Sequence, residues 1–363
     1  MKTDIQKIVL RLFVLMLLLV GMNYVYKILF FKKDLHAYSA DIALVEKVID
    51  NGYEIVYLGE SSNHTCREDD TDRRKISQMI SDFYPTLSMG DITRPAVHAE
   101  MYYEYLRNIP ENSTVKTVIV TLNLRSFGAD WIYSKLETPL QKSIILLKDQ
   151  PPLYSRFLLS FKGYDIKTEK ERGRQVIDKW EKDILQFPYP FPYSNTNQWD
   201  KAMATEQIKN DDGSPNQTLT ELACHYIKSY GFQIDTLNNP RIKDFDRIVS
   251  LAKERNWNLI LNLMAENTER ANELIGEDLL FLMRGNRDLL INRYSHENVW
   301  VVDNLECVPN EQYIDQDWTT EHYAEKGRGI VARNVAECLR NIYPEKYTDI
   351  PSVSESSTEP TDE

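Results

Sequence analysis

Two side chains far apart in the chain have the types needed to share a proton: Ser61, in Leu58-Gly59-Glu60-Ser61-Ser62-Asn63, and His322, in Thr319-Thr320-Glu321-His322-Tyr323. A serine hydroxyl is a weak nucleophile until a base removes its proton, and a nearby imidazole is the usual base. An acid that holds the imidazole completes the set. Asp317 and Asp315, five and seven residues before His322, are the candidates, and Asp317 is the one favoured. Attack on an ester also builds an oxyanion, which needs fixed hydrogen-bond donors. Asn123 can donate from its side-chain amide, and Gly90 lets its backbone N–H approach closely. Singly, each has a plainer explanation as a helix cap, a turn residue or a surface histidine. Taken together, a serine, a base and oxyanion donors are the parts that acyl transfer needs.

For these residues to meet, they must leave a common edge. Five short apolar runs read as buried parallel strands: 54–58 (EIVYL), 85–89 (PTLSM), 115–122 (VKTVIVTL), 258–263 (NLILNL) and 299–302 (VWVV). Helical patterns cover 73–83, 96–108, 242–255 and 270–294, and an apolar stripe from Ile330 to Ile342 marks a final helix. The alternation predicts an α/β fold, a doubly wound parallel five-stranded sheet, whose ligands bind where the strands end. Ser61 follows the first predicted strand, Gly90 the second, Asn123 the third and His322 the fifth. From about 128 to 240 the pattern turns helical, at 136–148 and 170–185, with an aromatic-proline run at Phe187–Tyr193. That stretch is too long for an ordinary connection and predicts a helical insertion over the sheet. Its aromatic run and Trp199 offer faces that stack on a sugar or pack on their own domain.

The order Ser, Gly, Asn, His after strands one, two, three and five resembles the SGNH/GDSL hydrolase superfamily, over about 54–91, 115–127 and 258–343. The resemblance implies a flavodoxin-like SGNH fold and makes Ser61 the nucleophile, His322 the base, and Gly90, Asn123 and the Ser61 N–H the oxyanion donors. The family usually has Asp three residues before the histidine, where this chain has Thr319, and Asp where this chain has Glu60. The N-terminal segment and Asn123-Leu124-Arg125-Ser126-Phe127 look similar to the exported, membrane-anchored branch with DltD-like and alginate O-acetylation-like proteins. The implied activity is that of a serine esterase or O-acyltransferase on acyl esters of a cell-envelope polysaccharide, without metal or organic cofactor. The alternative is a catalytically degenerate module that binds glycan or scaffolds a membrane-bound O-acyltransferase.

Residues 8–31 (IVLRLFVLMLLLVGMNYVYKILFF) carry only Arg11, Asn23 and Lys27 as strongly polar interruptions. This is long enough to cross a bilayer as a helix if the basic side chains snorkel. It predicts an anchor at 1–33 with an extracytoplasmic domain at 34–350, periplasmic or at the cell surface. Cleavage near Ala37-Tyr38-Ser39 is the other reading. The last residues, 351–363, are too polar to bury and are expected to be disordered. A net charge of −12 disfavours a nucleic-acid partner. Four cysteines without a C-x-x-C pair, and six histidines without metal-ligand spacing, give no metal site.

Overall fold

The computed structural model describes residues 2–350; the expectation for 351–363 lies outside the described residues. Five parallel strands, β1 (Ile55–Gly59), β2 (Met89–Thr93), β3 (Thr117–Leu122), β4 (Asn258–Leu263) and β5 (Val299–Asp303), form one sheet in the order β2-β1-β3-β4-β5. Its helices are, in chain order, α1 (Lys2–Tyr26), α2 (Lys32–Tyr38), α3 (Asp41–Asp50), α4 (Ile76–Asp82), α5 (Ala99–Arg107), α6 (Ala129–Ile132), α7 (Thr138–Leu147) and α8 (Pro152–Ser160). They continue with α9 (Glu169–Lys182), α10 (Thr196–Glu206), α11 (Gln217–Tyr230), α12 (Pro240–Glu254), α13 (Thr268–Leu274), α14 (Glu277–Tyr294) and α15 (Glu325–Arg340).

Side chains alternate along each strand, so the continuous apolar runs fill both faces. Val56, Leu58, Val118, Val120, Leu259 and Leu261 join one core, covered by α3, α5, α12 and α14. Ile55, Tyr57, Ile119 and Ile260 join the other, covered by α4 and α15. Each fully buried Ile or Leu is worth about 1.5–3 kcal/mol relative to exposure, so the strands that carry the site are held by burial on both faces. The expected doubly wound α/β sheet is present. Between β3 and β4 the described chain is helical, running from α6 to α12, with Asn195, Asn216 and Asn239 capping α10, α11 and α12.

Two expected elements differ. The second strand lies at 89–93, not 85–89, because β2 is an edge strand whose only fully buried residue is Ile92. An edge strand does not require the continuous apolar run of a central one, so the pattern misplaces it. The helix expected at 270–294 is two, α13 and α14, separated at Gly276, which takes a φ of 97°. α15 opens five residues before the stripe that announced it.

Continuous helix from Asp4 to Tyr38, through a π-helical turn at 27–31, is long and apolar enough to cross a membrane and leaves its apolar side chains outward. Among the described residues it is the candidate membrane span.

Candidate active site

Because all five strands run in one direction, their carboxyl ends share a rim. At the β1 end, Glu60 remains extended and Ser61–Asn63 makes a single 3₁₀ turn. Buried Asn63 pins that turn. Its Oδ1 accepts from the Ser77 N–H at 2.9 Å, and its Nδ2 donates to Thr93 Oγ1 at 2.6 Å and to Ser77 Oγ at 3.2 Å. The turn is thereby tied to the start of α4 and the end of β2. The first N–H groups of such a turn have no acceptor within it, which leaves that of Ser61 for a ligand.

His322 arrives from the loop between β5 and α15. Tyr313 and Tyr323 pair as an antiparallel bridge, their rings meet edge-on at 5.5 Å, and the Ile314 N–H donates to His322 O at 2.9 Å. The Tyr323 hydroxyl donates to Ala265 O at 2.8 Å, fastening the loop to the β4 exit. The loop thus folds back on itself and lays His322 over the rim. His322 Nε2 is 2.9 Å from Ser61 Oγ, although the residues are 261 positions apart, and Nδ1 is 2.7 Å from Asp315 Oδ2. A carboxylate only accepts, so Nδ1 carries the proton and Nε2 has the free lone pair facing the hydroxyl. Asp315 Oδ2 also accepts from Thr320 Oγ1 at 2.7 Å, which fixes the carboxylate.

Asp315, not Asp317, is therefore the acid at the imidazole. The reason is the closure of the loop: the pairing of 313 with 323 sets 314 across from 322, brings the Asp315 carboxylate to the His322 ring, and leaves Asp317 exposed at the outer turn. Gly90 also departs from its expected place. It is the second residue of β2, paired with Val56, whereas the strand leaves the sheet after Thr93. A side chain at Gly90 would run into the Tyr53 ring, with a Cβ only 2.1 Å from Tyr53 Cδ2. Gly90 thus makes room for packing at the opposite end of the strand from the rim. The chain leaving β2 is Arg94-Pro95-Ala96, where Ala96 has a φ of 57°.

Asn123 lies at the rim immediately after β3, buried, and donates from Nδ2 to Glu60 Oε1 at 2.8 Å. An amide nitrogen has two hydrogens, so one is committed to Glu60 and one is left. His64 is on the exposed side of the same turn; partial burial, then the positive charge of Lys75 and of His322, lowers its pKa. His98 is buried at the start of α5, with Nδ1 2.9 Å from Arg241. The aromatic run packs on its own domain: Phe191 meets buried Trp199 edge-on at 4.9 Å, and Phe187 lies 5.3 Å from Phe281. Trp318, on the loop that carries His322, remains half exposed, its ring 3.9 Å from that of His225. Among the described residues no group of three or more His, Cys, Asp or Glu is arranged to hold a metal.

Beneath the rim lies a cluster of charges that single-residue reading does not reveal. Glu60, Glu266 and Glu321 are all buried, and the guanidinium whose charge they share is that of Arg125. Arg125 grips Glu321 with two hydrogen bonds, Nε to Oε1 at 2.6 Å and Nη2 to Oε2, and its Nη1 donates to Thr319 O at 2.6 Å. Its guanidinium also stacks over Trp131 at 4.6 Å. Burial pushes Glu60 up to about 7, with the charge of Glu321 adding and Arg125 and Asn123 opposing. Burial, then Glu321, raises Glu266 well above the carboxylate range, and Tyr230 donates to it at 2.5 Å. The physical picture is one ionised pair, Arg125 with Glu321, beside carboxyl groups that burial holds toward their neutral forms. Glu60 and Glu321 directly precede Ser61 and His322, so this cluster sets the backbone on both sides of the proton-sharing pair. The available sequence signal was that repeated acid immediately before the serine and before the histidine.

No protein-family model matches the chain, and no curated protein matches it. Two solved structures align with it at low similarity. A lipase/acylhydrolase from Enterococcus faecalis aligns over 80% of this chain and 96% of its own, with 8% identity and a TM-score of 0.33. An acetyl xylan esterase from the rumen bacterium Butyrivibrio proteoclasticus aligns over 80% of this chain but 64% of its own, just under two thirds, with 10% identity and a TM-score of 0.27.

Proposed function

We propose that the chain is a membrane-anchored serine esterase or O-acyltransferase acting on acyl esters of a cell-envelope polysaccharide or glycan. The observation that carries this reading is the continuous array Ser61 Oγ, His322 Nε2, His322 Nδ1 and Asp315 Oδ2, at 2.9 and 2.7 Å, on the carboxyl rim of the sheet. In the proposed reaction Ser61 Oγ attacks the acyl carbon while its proton passes to His322 Nε2. The carbonyl oxygen becomes an oxyanion that accepts from the Ser61 N–H and from the second Asn123 Nδ2 hydrogen. Asp315 stabilises the imidazolium and keeps its remaining proton on Nδ1. His322 then gives its proton to the departing alkoxide, leaving an acyl-serine. Water or a sugar hydroxyl, deprotonated by the same nitrogen, attacks that ester; the proton returns to Ser61 as the acyl group leaves.

The half-exposed Trp318, on the loop that carries His322, supports a sugar ring as the alcohol half of the ester, since a flat indole face suits the apolar face of a sugar. The anchoring helix would keep this rim close to envelope polymers. The complete array weighs against a purely scaffolding role.

A fluorophosphonate probe tests the reading directly on the full chain in detergent. Labelling is expected at Ser61 and is expected to vanish in Ser61→Ala, with unchanged circular dichroism. A folded wild-type chain that takes no label would end the enzymatic reading.

A further inference from the structure

The helical region after β3 exposes an apolar face. Tyr154 and Phe157 on α8 and Phe161 at its C-cap recur at three- and four-residue spacing, which places them along one side of the helix and its end. They are 51%, 57% and 71% exposed, and Ile166 in the following loop is 76% exposed. Phe157 and Phe161 lie against each other, their rings tilted and 4.6 Å apart. A contiguous apolar stripe of this kind marks an interaction surface.

What covers it is indicated by its neighbour. The opposite side of α8 is fastened to the candidate membrane span. Phe31 and Leu35 pack against buried Ile145, Leu146 and Leu159 of the α7–α8 pair. The Leu153 N–H donates to Asn23 Oδ1 at 2.9 Å, Arg156 pairs with Asp34 at 3.5 Å, and the Arg156 guanidinium lies over Tyr38. The height of α8 follows from helix geometry. Asp4 and Asn23 are separated by 19 residues, or about 28 Å at ~1.5 Å per residue, close to the ~30 Å thickness of a hydrocarbon core. With Asp4 at one interface, Asn23 and the start of α8 stand at the other. Lys162 and Lys167 flank the stripe, the arrangement of aromatic and basic side chains that suits the headgroup boundary.

We infer that the Tyr154-Phe157-Phe161 face of α8, with Ile166, is a membrane-contact surface seated in the headgroup boundary of the bilayer that the N-terminal helix spans. The inference rests on that helix being inserted. It gives the domain a second point of attachment, so that the domain cannot swing freely about α1 and the Ser61 rim is held at a fixed tilt over the leaflet.

The test uses the full chain in nanodiscs of phosphatidylethanolamine with a minority of phosphatidylglycerol. Phe161 is replaced by p-benzoyl-phenylalanine, with Leu237, 79% exposed on the loop before α12, replaced likewise as the control. After irradiation the chain altered at 161 is expected to gain the mass of one phospholipid, and the chain altered at 237 to gain none. In the chain altered at 161, adding Phe157→Glu and Tyr154→Glu is expected to abolish the adduct while leaving circular dichroism unchanged. A chain that resists alkaline extraction yet forms no lipid adduct at 161, or crosslinks there to a second copy of itself, overturns the inference and leaves the anchor standing. Release by alkaline extraction overturns both.

Discussion

Replacing Asp315 separates the proposed triad from a serine–histidine pair. As Ser61 attacks, His322 becomes a cation 2.7 Å from Asp315 Oδ2. With charge centres about 4 Å apart, the attraction is about 4 kcal/mol at an effective dielectric of ~20 and about 1 kcal/mol in bulk water. The Asp315 side chain is 38% exposed, so solvent screening moves the value between these limits, to about 2–3 kcal/mol. Asp315→Ala is therefore expected to lower kcat/KM about 30- to 150-fold, at ~1.4 kcal/mol per factor of ten. Asp315→Asn is expected to be worse, because an amide that donates to Nδ1 drives the proton to Nε2 and removes the base; where that tautomer is imposed the loss reaches about 10⁴. Asp317→Asn is expected to stay within about twofold of wild type, as exposed charges away from the reacting groups contribute little. The assay is hydrolysis of p-nitrophenyl acetate by matched preparations, with fluorophosphonate labelling rates as a second readout. A large loss in Asp317→Asn together with an unaffected Asp315→Ala would refute the assignment and the loop closure behind it.

Arg125→Met leaves Glu321 buried without its cation. Breaking such a pair costs about 3–5 kcal/mol, which in thermal unfolding is a fall in Tm of about 5–15 °C; Glu321→Met in the same chain is expected to restore most of it, and an unchanged Tm in the single variant would show the cluster to be solvated. Asn123→Ala removes a proposed oxyanion donor and is expected to cut kcat about 10²–10³-fold with little change in KM; an unaltered kcat would place the oxyanion elsewhere. Glu60 gives a pH test. Its pKa is raised on folding to about 7 from an ordinary 4.5, so between those values the native chain keeps a proton that the unfolded chain has lost, and stability falls as pH rises through that window. Glu60→Gln is expected to flatten that slope by up to about 1.4 kcal/mol per pH unit, the weight of one proton; urea midpoints from pH 4.5 to 7.5 that fall as steeply in the variant as in wild type would contradict it.

How much of this was visible in the sequence depended on whether a feature is local. The runs at 54–58, 115–122, 258–263 and 299–302 declare themselves because a strand covered on both faces must be apolar throughout, and each lies within two residues of β1, β3, β4 and β5. Residues 89–93 (MGDIT) declare nothing, because an edge strand needs only Ile92 inside. That slip of four residues also misplaced Gly90, since the chemistry assigned to a turn glycine depends on which end of the strand it occupies. Ser61, Asn123 and His322 were legible for the converse reason: they follow elements whose ends were legible.

The choice between Asp315 and Asp317 was not local in this sense. Spacing along a loop says how far a side chain can reach, whereas the Tyr313–Tyr323 pairing decides which carboxylate turns inward, and nothing in the sequence between them announces that pairing. The Arg125 cluster is a stronger case. Glu60, Arg125, Glu266 and Glu321 belong to four separate segments, and in one dimension each looks like an ordinary surface charge. Only when the ends of β1, β3 and β4 are brought side by side does the cost of burying three carboxyls fall on a single guanidinium. Such a cluster is an expensive way to gain stability, since an apolar replacement of similar volume would serve as well or better. Its position gives it another use: Glu60 and Glu321 adjoin the nucleophile and the base, and the β3 exit holds both, Asn123 donating to Glu60 and Arg125 to Glu321, so one turn sets the two loops at their working separation. Arg125→Met with Glu321→Met therefore recovers the Tm but not kcat/KM if the cluster positions the loops, and recovers both if it merely fills the interior.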